Sequence, residues 1–156
     1  MRTYLEKTED LQAKISEIAE DAPEETGIDM MEREALASDR VPPAVGPYSQ
    51  AVRAGEMIFC SGMLGVDPET KQLVEDSFEA QVRRVMDNLV MLMEDCGTSL
   101  DNVVKTTVFL ADMGQFATFN PIYAEYFGDE PPARSTIQVA ALPLGAQIEV
   151  EAIAIA

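Results

Sequence analysis

Two charged side chains near the end of this chain could together handle a small carboxylic acid. Arg134 is the only arginine after Arg84, and it follows a Pro-Pro-Ala turn and opens a short apolar run. A guanidinium presents a planar fork of N–H donors that can hold a carboxylate through two parallel hydrogen bonds. Glu149 lies in a second alternating run, and a carboxylate positioned beside water can act as a general base. This pair of residue types predicts a site for a small carboxylate.

Strand alternation predicts which neighbours these two residues have. Arg134, Thr136 and Gln138 share one face of a predicted strand, while Glu149 and Glu151 share theirs with Ile153 and Ile155. A carboxylate on an otherwise apolar face must be paired, protonated or exposed in a cleft, because burying it unpaired is costly. We therefore expect Arg134 and Glu149 to be neighbours. They form either part of a functional cleft or a plain ion pair between two strands.

Composition excludes several other kinds of chemistry. The chain has 28 acidic and 11 basic residues, a formal net charge of −17, and no histidine. Such a surface repels a phosphate backbone, so we expect no nucleic acid partner. Without histidine, proton transfer falls to Glu, Asp, Lys, Tyr or water. Cys60 and Cys96 are far apart and have no metal-ligand spacing, so we expect two buried reduced thiols in preference to a disulfide, and no metal site.

The chain shows no targeting or membrane-spanning pattern. No apolar stretch approaches 18 residues, and the first residues carry neither a signal peptide's apolar run nor the basic character of a transit peptide. We expect a cytoplasmic protein without a membrane partner.

Residues 1–40 differ in character from the rest, and we predict that they form an acidic amino-terminal extension. Thr3 and Glu6 are spaced as a capping box, and an apolar stripe at helical spacing follows: Tyr4, Thr8, Leu11, Ile15 and Ile18. This short amphipathic helix either docks on a partner surface or frays, since an isolated helix of this length is barely stable. A second helical pattern is predicted near residues 29–36.

Residues 41–156 read as one domain of mixed strands and helices. A hairpin is predicted from 50–53 and 57–61, a helix from a cap at Asp76 to Cys96, and a strand over 103–110. An aromatic stripe marks a second helix, and two closing strands follow over 134–139 and 147–155: the stripe is Phe116, Phe119, Tyr123, Tyr126 and Phe127. The order β-β-α-β-α-β-β predicts an α+β fold with two helices on one face of a single sheet. The other face must then be buried, most simply against copies of the same chain.

Five ordered segments between Val41 and Ala156 resemble the RidA (YjgF) family of enamine/imine deaminases. They are Gly46-Pro47-Tyr48-Ser49-Gln50, Phe59-Cys60-Ser61-Gly62, Val104-Lys105-Thr106-Thr107-Val108-Phe109-Leu110, Pro132-Ala133-Arg134-Ser135 and Ile148-Glu149-Val150-Glu151-Ala152-Ile153-Ala154. The resemblance implies a chorismate-mutase-like α+β fold with a single mixed sheet, assembled as a homotrimer with sites between subunits. Members usually begin near Met31, so residues 1–30 are either an extension or the product of an upstream start codon.

The same resemblance implies an activity and a set of roles. The activity is hydrolysis of 2-aminoacrylate and related imines, 2-iminopropanoate and 2-iminobutanoate, to 2-oxo acids and ammonia without cofactor or metal. Arg134 would bind the substrate carboxylate, and Glu149 would position or activate the attacking water. The cleft would be lined by Tyr48 and Ser61, with Asn120 and the backbone carbonyl of Thr136 as further contacts.

The residues alone leave other interpretations open. Tyr48 could be packing and Ser61-Gly62 a simple turn. Met63-Leu64-Gly65 departs from the usual sequence of relatives, which affects the expected substrate preference. The alternative function is a non-catalytic regulator or chaperone-like protein that binds a small carboxylate such as a 2-oxo acid.

Overall fold

A mixed sheet of six strands is the framework of the computed structural model, which describes residues 32–156. The strands are β1 (Arg33–Leu36), β2 (Ala51–Ala54), β3 (Met57–Leu64), β4 (Val103–Leu110), β5 (Ala133–Gln138) and β6 (Ile148–Ile155). Their order across the sheet is β1-β2-β3-β6-β4-β5. Only the β4–β5 pair is parallel; the other neighbours run antiparallel. The predicted single sheet of the α+β class is confirmed.

Two helices cover one face of this sheet, as the sequence predicted. Helix α1 (Phe78–Asp95) begins after Ser77, whose hydroxyl accepts a hydrogen bond from the Ala80 N–H at 3.0 Å. The cap is thus Ser77 and not Asp76, one residue from the predicted position. The helix ends where Gly97 takes a left-handed φ of 82°, which glycine adopts without strain. Helix α2 (Phe116–Phe127) contains Pro121 and follows a short turn that is capped by Asp112.

The prediction of a helix near residues 29–36 is wrong for its described part. Arg33–Leu36 forms β1 and pairs with β2 in register from Arg33 opposite Ala54 to Leu36 opposite Ala51. The backbone groups along the edge of β2 offer a ladder of hydrogen bonds that outweighs a weak local preference for helix. The predicted helix with the stripe from Tyr4 to Ile18 lies outside the described residues, and the boundary between 40 and 41 remains a prediction.

The two faces of the sheet have different environments. The helix face packs against α1 and α2 and is fully buried: its residues include Ile58, Thr106, Val108, Leu110, Ile148, Val150, Ala152 and Ala154. The open face carries Phe59, Phe109, Ile137, Glu149, Glu151, Ile153 and Ile155. Phe59, Ile137 and Ile155 on this face are 45%, 46% and 45% exposed. A row of half-exposed apolar residues across a sheet is typical of a surface that another chain covers.

Both cysteines are buried and free, as predicted. Burial raises the pKa of the Cys60 thiol to about 12, so this sulfur stays protonated at neutral pH. Within the described residues, no helix is long and apolar enough to cross a membrane.

A buried asparagine ties α1 to the end of β3. The Asn88 side chain is fully buried, and its Nδ2 donates to the carbonyls of Leu64 and Val66 at 3.1 and 2.8 Å. Leu64 is the last residue of β3, and Val66 lies just beyond it where the chain leaves the sheet. The amide therefore fixes the path of the chain that follows β3.

We predict that Asn88→Ala lowers the free energy of unfolding by about 2–4 kcal/mol, because two buried carbonyls lose their donor and a cavity is left. Urea denaturation at one fixed protomer concentration measures the change. Glu79→Gln, an exposed change on the same helix, is the control and should stay within about 0.5 kcal/mol of wild type. Equal stability of the two variants would contradict this role for Asn88.

Candidate functional site

A cavity of about 650 Å³ opens where β3 ends and β6 begins. Its wall is mainly apolar and carries a few polar groups: the lining residues are Pro42, Pro43, Val45, Tyr48, Ser61, Gly62, Met63, Leu64, Val66, Lys71, Pro143, Leu144 and Glu149. An apolar concavity with a few placed polar groups is the usual form of a small-molecule site. It brings together three of the predicted site residues, Tyr48, Ser61 and Glu149.

Glu149 reaches this cavity across its neighbouring strand. It lies opposite Leu64 of β3 and Phe109 of β4, and its side chain extends over Gly62. A β-carbon at position 62 would overlap the Glu149 carboxylate and the Cγ carbon that precedes it. Gly62 therefore provides the space that the carboxylate occupies, which a simple turn glycine would not need to do.

The surroundings of Glu149 favour its protonated form. Burial is the larger cause and the negative charge of Glu151 the smaller one, and together they raise the pKa of Glu149 above its ordinary value. A carboxylate whose pKa moves toward neutrality exchanges protons more readily at neutral pH, as a general base must.

Tyr48 and Ser61 are held in place by short backbone contacts. The Tyr48 hydroxyl accepts a hydrogen bond from the Val45 N–H at 3.2 Å, and the ring is 51% exposed. The Ser61 hydroxyl donates to the Ser49 carbonyl at 2.7 Å. Because that donation uses its only proton, the Ser61 oxygen can offer only lone pairs to a ligand.

Arg134 lies in a separate place, on the helix face at the β5 edge. Its Nη2 donates to Oδ1 of Asn120 in α2 at 2.8 Å. Three aromatic rings of α2 surround the guanidinium, with ring centres 4.7 Å (Tyr123), 5.2 Å (Phe119) and 5.6 Å (Phe116) from its central carbon. Such cation–π contacts and the Asn120 bond orient the fork without neutralising it. We call this arrangement the Arg134 clamp.

Sequence reasoning found only part of the clamp. The family resemblance implied Asn120 as a further contact in the cleft, and the structure places it in direct contact with Arg134. Phe119 and Tyr123 of the aromatic stripe are buried like core residues, but the same rings also face the guanidinium. The available signal was the spacing of Phe116, Asn120 and Tyr123, which puts a polar group between two rings on one side of a helix.

Thr136 follows Arg134 on the same face of β5. Its hydroxyl oxygen is buried and, within residues 32–156, has no hydrogen-bond partner. A buried hydroxyl without a partner is costly, so this oxygen is available to a ligand or a water beside the clamp.

The structure overturns one expectation, that Arg134 and Glu149 are neighbours in the same chain. Arg134 pairs with Thr106, and Thr106 pairs with Ala152 of β6. Glu149 is three residues from Ala152, and an odd separation along a strand leads to the opposite face. Arg134 therefore lies on the helix face and Glu149 on the open face, so the sheet separates them.

Several further lining residues were not among the predicted site residues, and Leu144 and Lys71 are two of them. Leu144 is 70% exposed at the mouth of the cavity, and Lys71 lies in the turn between β3 and α1. No local pattern marked either one, because both reach the cavity from loops that the strand and helix periodicities do not describe.

Comparison with known proteins agrees with this fold. The family model described as Endoribonuclease L-PSP matches residues 38–156. Reactive Intermediate Deaminase A, chloroplastic, of Arabidopsis thaliana is 48% identical over 124 residues, covering 80% of this chain and 66% of the relative. The 2-iminobutanoate/2-iminopropanoate deaminase of Mus musculus is 45% identical over 123 residues, covering 79% of this chain and 91% of the relative.

A solved structure gives the same result for the backbone. The crystal structure of YyfA from Yersinia pestis, a protein of the conserved Rid family, matches with a TM-score of 0.78 at 40% identity, covering 80% of this chain and all of the other. The chain belongs to the Endoribonuclease L-PSP family, which is the YjgF/RidA family that its motifs resembled.

The raised pKa of Glu149 makes a prediction about stability and pH. The folded chain holds this proton more tightly than the unfolded chain, so ionisation of Glu149 reduces stability as pH rises from its ordinary value through the raised one. We expect Glu149→Gln to be more stable than wild type at about pH 7 and close to wild type at about pH 4, where the carboxyl is protonated in both states.

Urea denaturation of both proteins at the two pH values measures this difference. Glu75→Gln, which removes the same charge from an exposed loop position, is the matched control. A gain of the same size from Glu75→Gln, or a Glu149→Gln gain that does not depend on pH, would contradict the prediction.

Proposed function

We propose that this protein hydrolyses small 2-imino acids, including 2-iminopropanoate and 2-iminobutanoate, to 2-oxo acids and ammonia. The observation that carries the proposal is the Glu149 carboxylate, held with a raised pKa in an apolar cavity beside Tyr48 and Ser61. The plant and mouse relatives are named as deaminases of reactive intermediates and of these imines, which supports the same chemistry. A cytoplasmic location is proposed with it.

The reaction needs little more than orientation and one proton acceptor. Water attacks C2 of the electrophilic iminium while Glu149 accepts one of its protons, which gives a tetrahedral aminoalcohol. Glu149 then passes this proton to the nitrogen, and the C2–N bond breaks. The hydroxyl proton goes back to Glu149 and from there to the departing ammonia, so the C2 carbonyl forms and the carboxylate is restored. A positioned carboxylate contributes about 10²- to 10⁴-fold to such a step.

The substrate carboxylate is assigned to Arg134. The clamp leaves guanidinium N–H groups beyond the one that Asn120 receives, and an arginine can bind a carboxylate through two of them. Thr136 follows on the same face, so its backbone and its unpaired hydroxyl are further candidate contacts.

Because the sheet separates Arg134 from Glu149, we propose that each complete site lies between two chains. The exposed apolar residues of the open face support assembly, and the proposed assembly is a homotrimer with three equivalent sites. In this arrangement the Arg134 clamp of one chain faces the Glu149 cavity of the next.

The family description names an endoribonuclease, but RNA cleavage fits this chain poorly. A net charge of −17 opposes binding of a polyanion, and the chain has no histidine for proton transfer. The remaining alternative is a protein that binds a 2-oxo acid without turnover. Glu149 argues against it, because a carboxylate in the cavity repels an anionic ligand and weakens its binding. A catalytic role gives a reason for the carboxylate that a binding protein would lack.

We predict that Arg134→Ala and Glu149→Gln each reduce kcat/KM for 2-iminobutanoate by about 10²- to 10⁴-fold. An amino acid oxidase generates the imine, and release of ammonia and 2-oxobutanoate is followed. The exposed change Glu75→Gln is the control. Calorimetric binding of 2-oxobutanoate by wild type without any acceleration of imine hydrolysis would favour the binding function instead.

Mixing the two inactive variants tests the shared site. If each site takes Arg134 from one chain and Glu149 from its neighbour, random mixed trimers regain both residues in roughly a quarter of their sites. We expect about that fraction of wild-type activity after subunit exchange, and none in either variant alone. Activity that stays at the level of the separate variants, with exchange verified by native mass spectrometry, would place both residues of a site in one chain.

A further inference from the structure

The turn after β3 places a lysine at the cavity that holds Glu149. Lys71 closes this turn by donating its backbone N–H to the Asp67 carbonyl at 2.9 Å, and the Asp67 N–H donates to the Gln72 carbonyl at 2.8 Å. The Asp67 carboxylate accepts hydrogen bonds from the Glu69 and Thr70 N–H groups at 2.9 Å each. Hydrogen bonds within the turn therefore fix its backbone, and with it the position of Lys71 at the cavity wall.

The backbone at Lys71 adopts a conformation that usually favours glycine. Its φ is 61°, in the left-handed region that is uncommon for residues other than Gly, Asn and Asp. A glycine would close the same turn without strain. A lysine that keeps this strained conformation is typical of a position where the side chain has a function.

The positive charge of Lys71 indicates what kind of group its side chain could bind. Among the residues in the described part of the chain that line this cavity, Lys71 and Glu149 are the charged ones. Within residues 32–156, the ion pairs use arginines and leave Lys71 without a carboxylate partner. In a strongly acidic protein, a cation at the mouth of an apolar cavity attracts an anionic group of the ligand.

The size of the cavity leaves room for such a group. About 650 Å³ lies within the range of roughly 300–1,000 Å³ that holds drug-sized ligands, and a four-carbon imino acid fills only part of it. With the substrate's α-carboxylate assigned to the Arg134 clamp and its imine carbon to Glu149, the substrate side chain is left to contact the cavity wall.

We propose that Lys71 is a specificity-determining residue that binds a carboxylate on the substrate side chain, so that the protein prefers imino acids derived from acidic amino acids. This inference rests on the proposed deaminase function and adds a substrate class to it. The class is that of 2-iminoglutarate, with one carboxylate for the Arg134 clamp and one for Lys71.

The test is the ratio of kcat/KM for 2-iminoglutarate to that for 2-iminobutanoate, with the two imines generated by a glutamate oxidase and a broad amino acid oxidase. We expect wild type to prefer 2-iminoglutarate. Lys71→Gln should lower the ratio about two- to fivefold, the effect of one exposed charge contact, and Lys71→Glu should lower it further. Lys71→Arg should keep most of the preference.

Arg83→Gln is the matched control, because it removes the same charge from an exposed ion pair on α1, away from the cavity. Its ratio should equal that of wild type. A ratio unchanged in Lys71→Gln, an equal fall for both substrates, or an equal change in Arg83→Gln would overturn the assignment of Lys71. Failure of wild type to hydrolyse either imine would instead overturn the proposed function.

Discussion

The burial of one face of the sheet by two helices is the constraint on which the rest of this molecule depends. Every strand residue must be assigned to one face or the other, since successive side chains alternate. Residues such as Val108 and Val150 are fully enclosed under α1 and α2, while Phe59, Ile137 and Ile155 keep nearly half of their surface. The helix face is thus the hydrophobic core of one chain, and the open face is a surface of the kind that another chain covers.

The same division distributes the functional groups. The clamp forms on the helix face because α2 supplies both Asn120 and the aromatic rings, and only a residue on that side of β5 can contact them. The Glu149 cavity forms on the other side, where Gly62 leaves space beside the strand. The anchor and the base that we propose, Arg134 and Glu149, are therefore not both present on either face. In an assembly of several chains, the Arg134 clamp of one chain could meet the Glu149 cavity of another, so that one small domain supplies both parts of a site.

Much of this fold could be predicted from periodicity, and the exceptions have physical causes. The helix over 78–95 and the strands over 103–110 and 148–155 follow from strong apolar patterns that bury one side of each element. The strand Arg33–Leu36 could not be found in this way, because its conformation depends on the free edge of β2 and not on its own residues. A helical pattern without burial is a weak signal.

The site was predictable to a different degree. Residue types and motif order identified Arg134, Glu149, Tyr48, Ser61, Asn120 and Thr136 as candidates, and the structure gathers them into two groups. Alternation predicts which residues of one strand share a face, but it does not say which face of β5 matches which face of β6. That match depends on the pairing of both strands with β4, which puts Arg134 and Glu149 on opposite faces of the sheet. Lys71 could not be predicted, because it lies in a loop and only the folded structure shows that this loop lines the cavity.

The placement of the Glu149 side chain depends on the absence of a side chain at Gly62. Any side chain at this position must displace the glutamate that crosses it, yet the atoms that it meets belong to a flexible side chain and not to the backbone. The fold would thus tolerate a replacement, while the Glu149 carboxylate would lose its placement. Under the proposed mechanism, a side chain as small as one methyl group at position 62 would remove the base and leave a protein that only binds small acids.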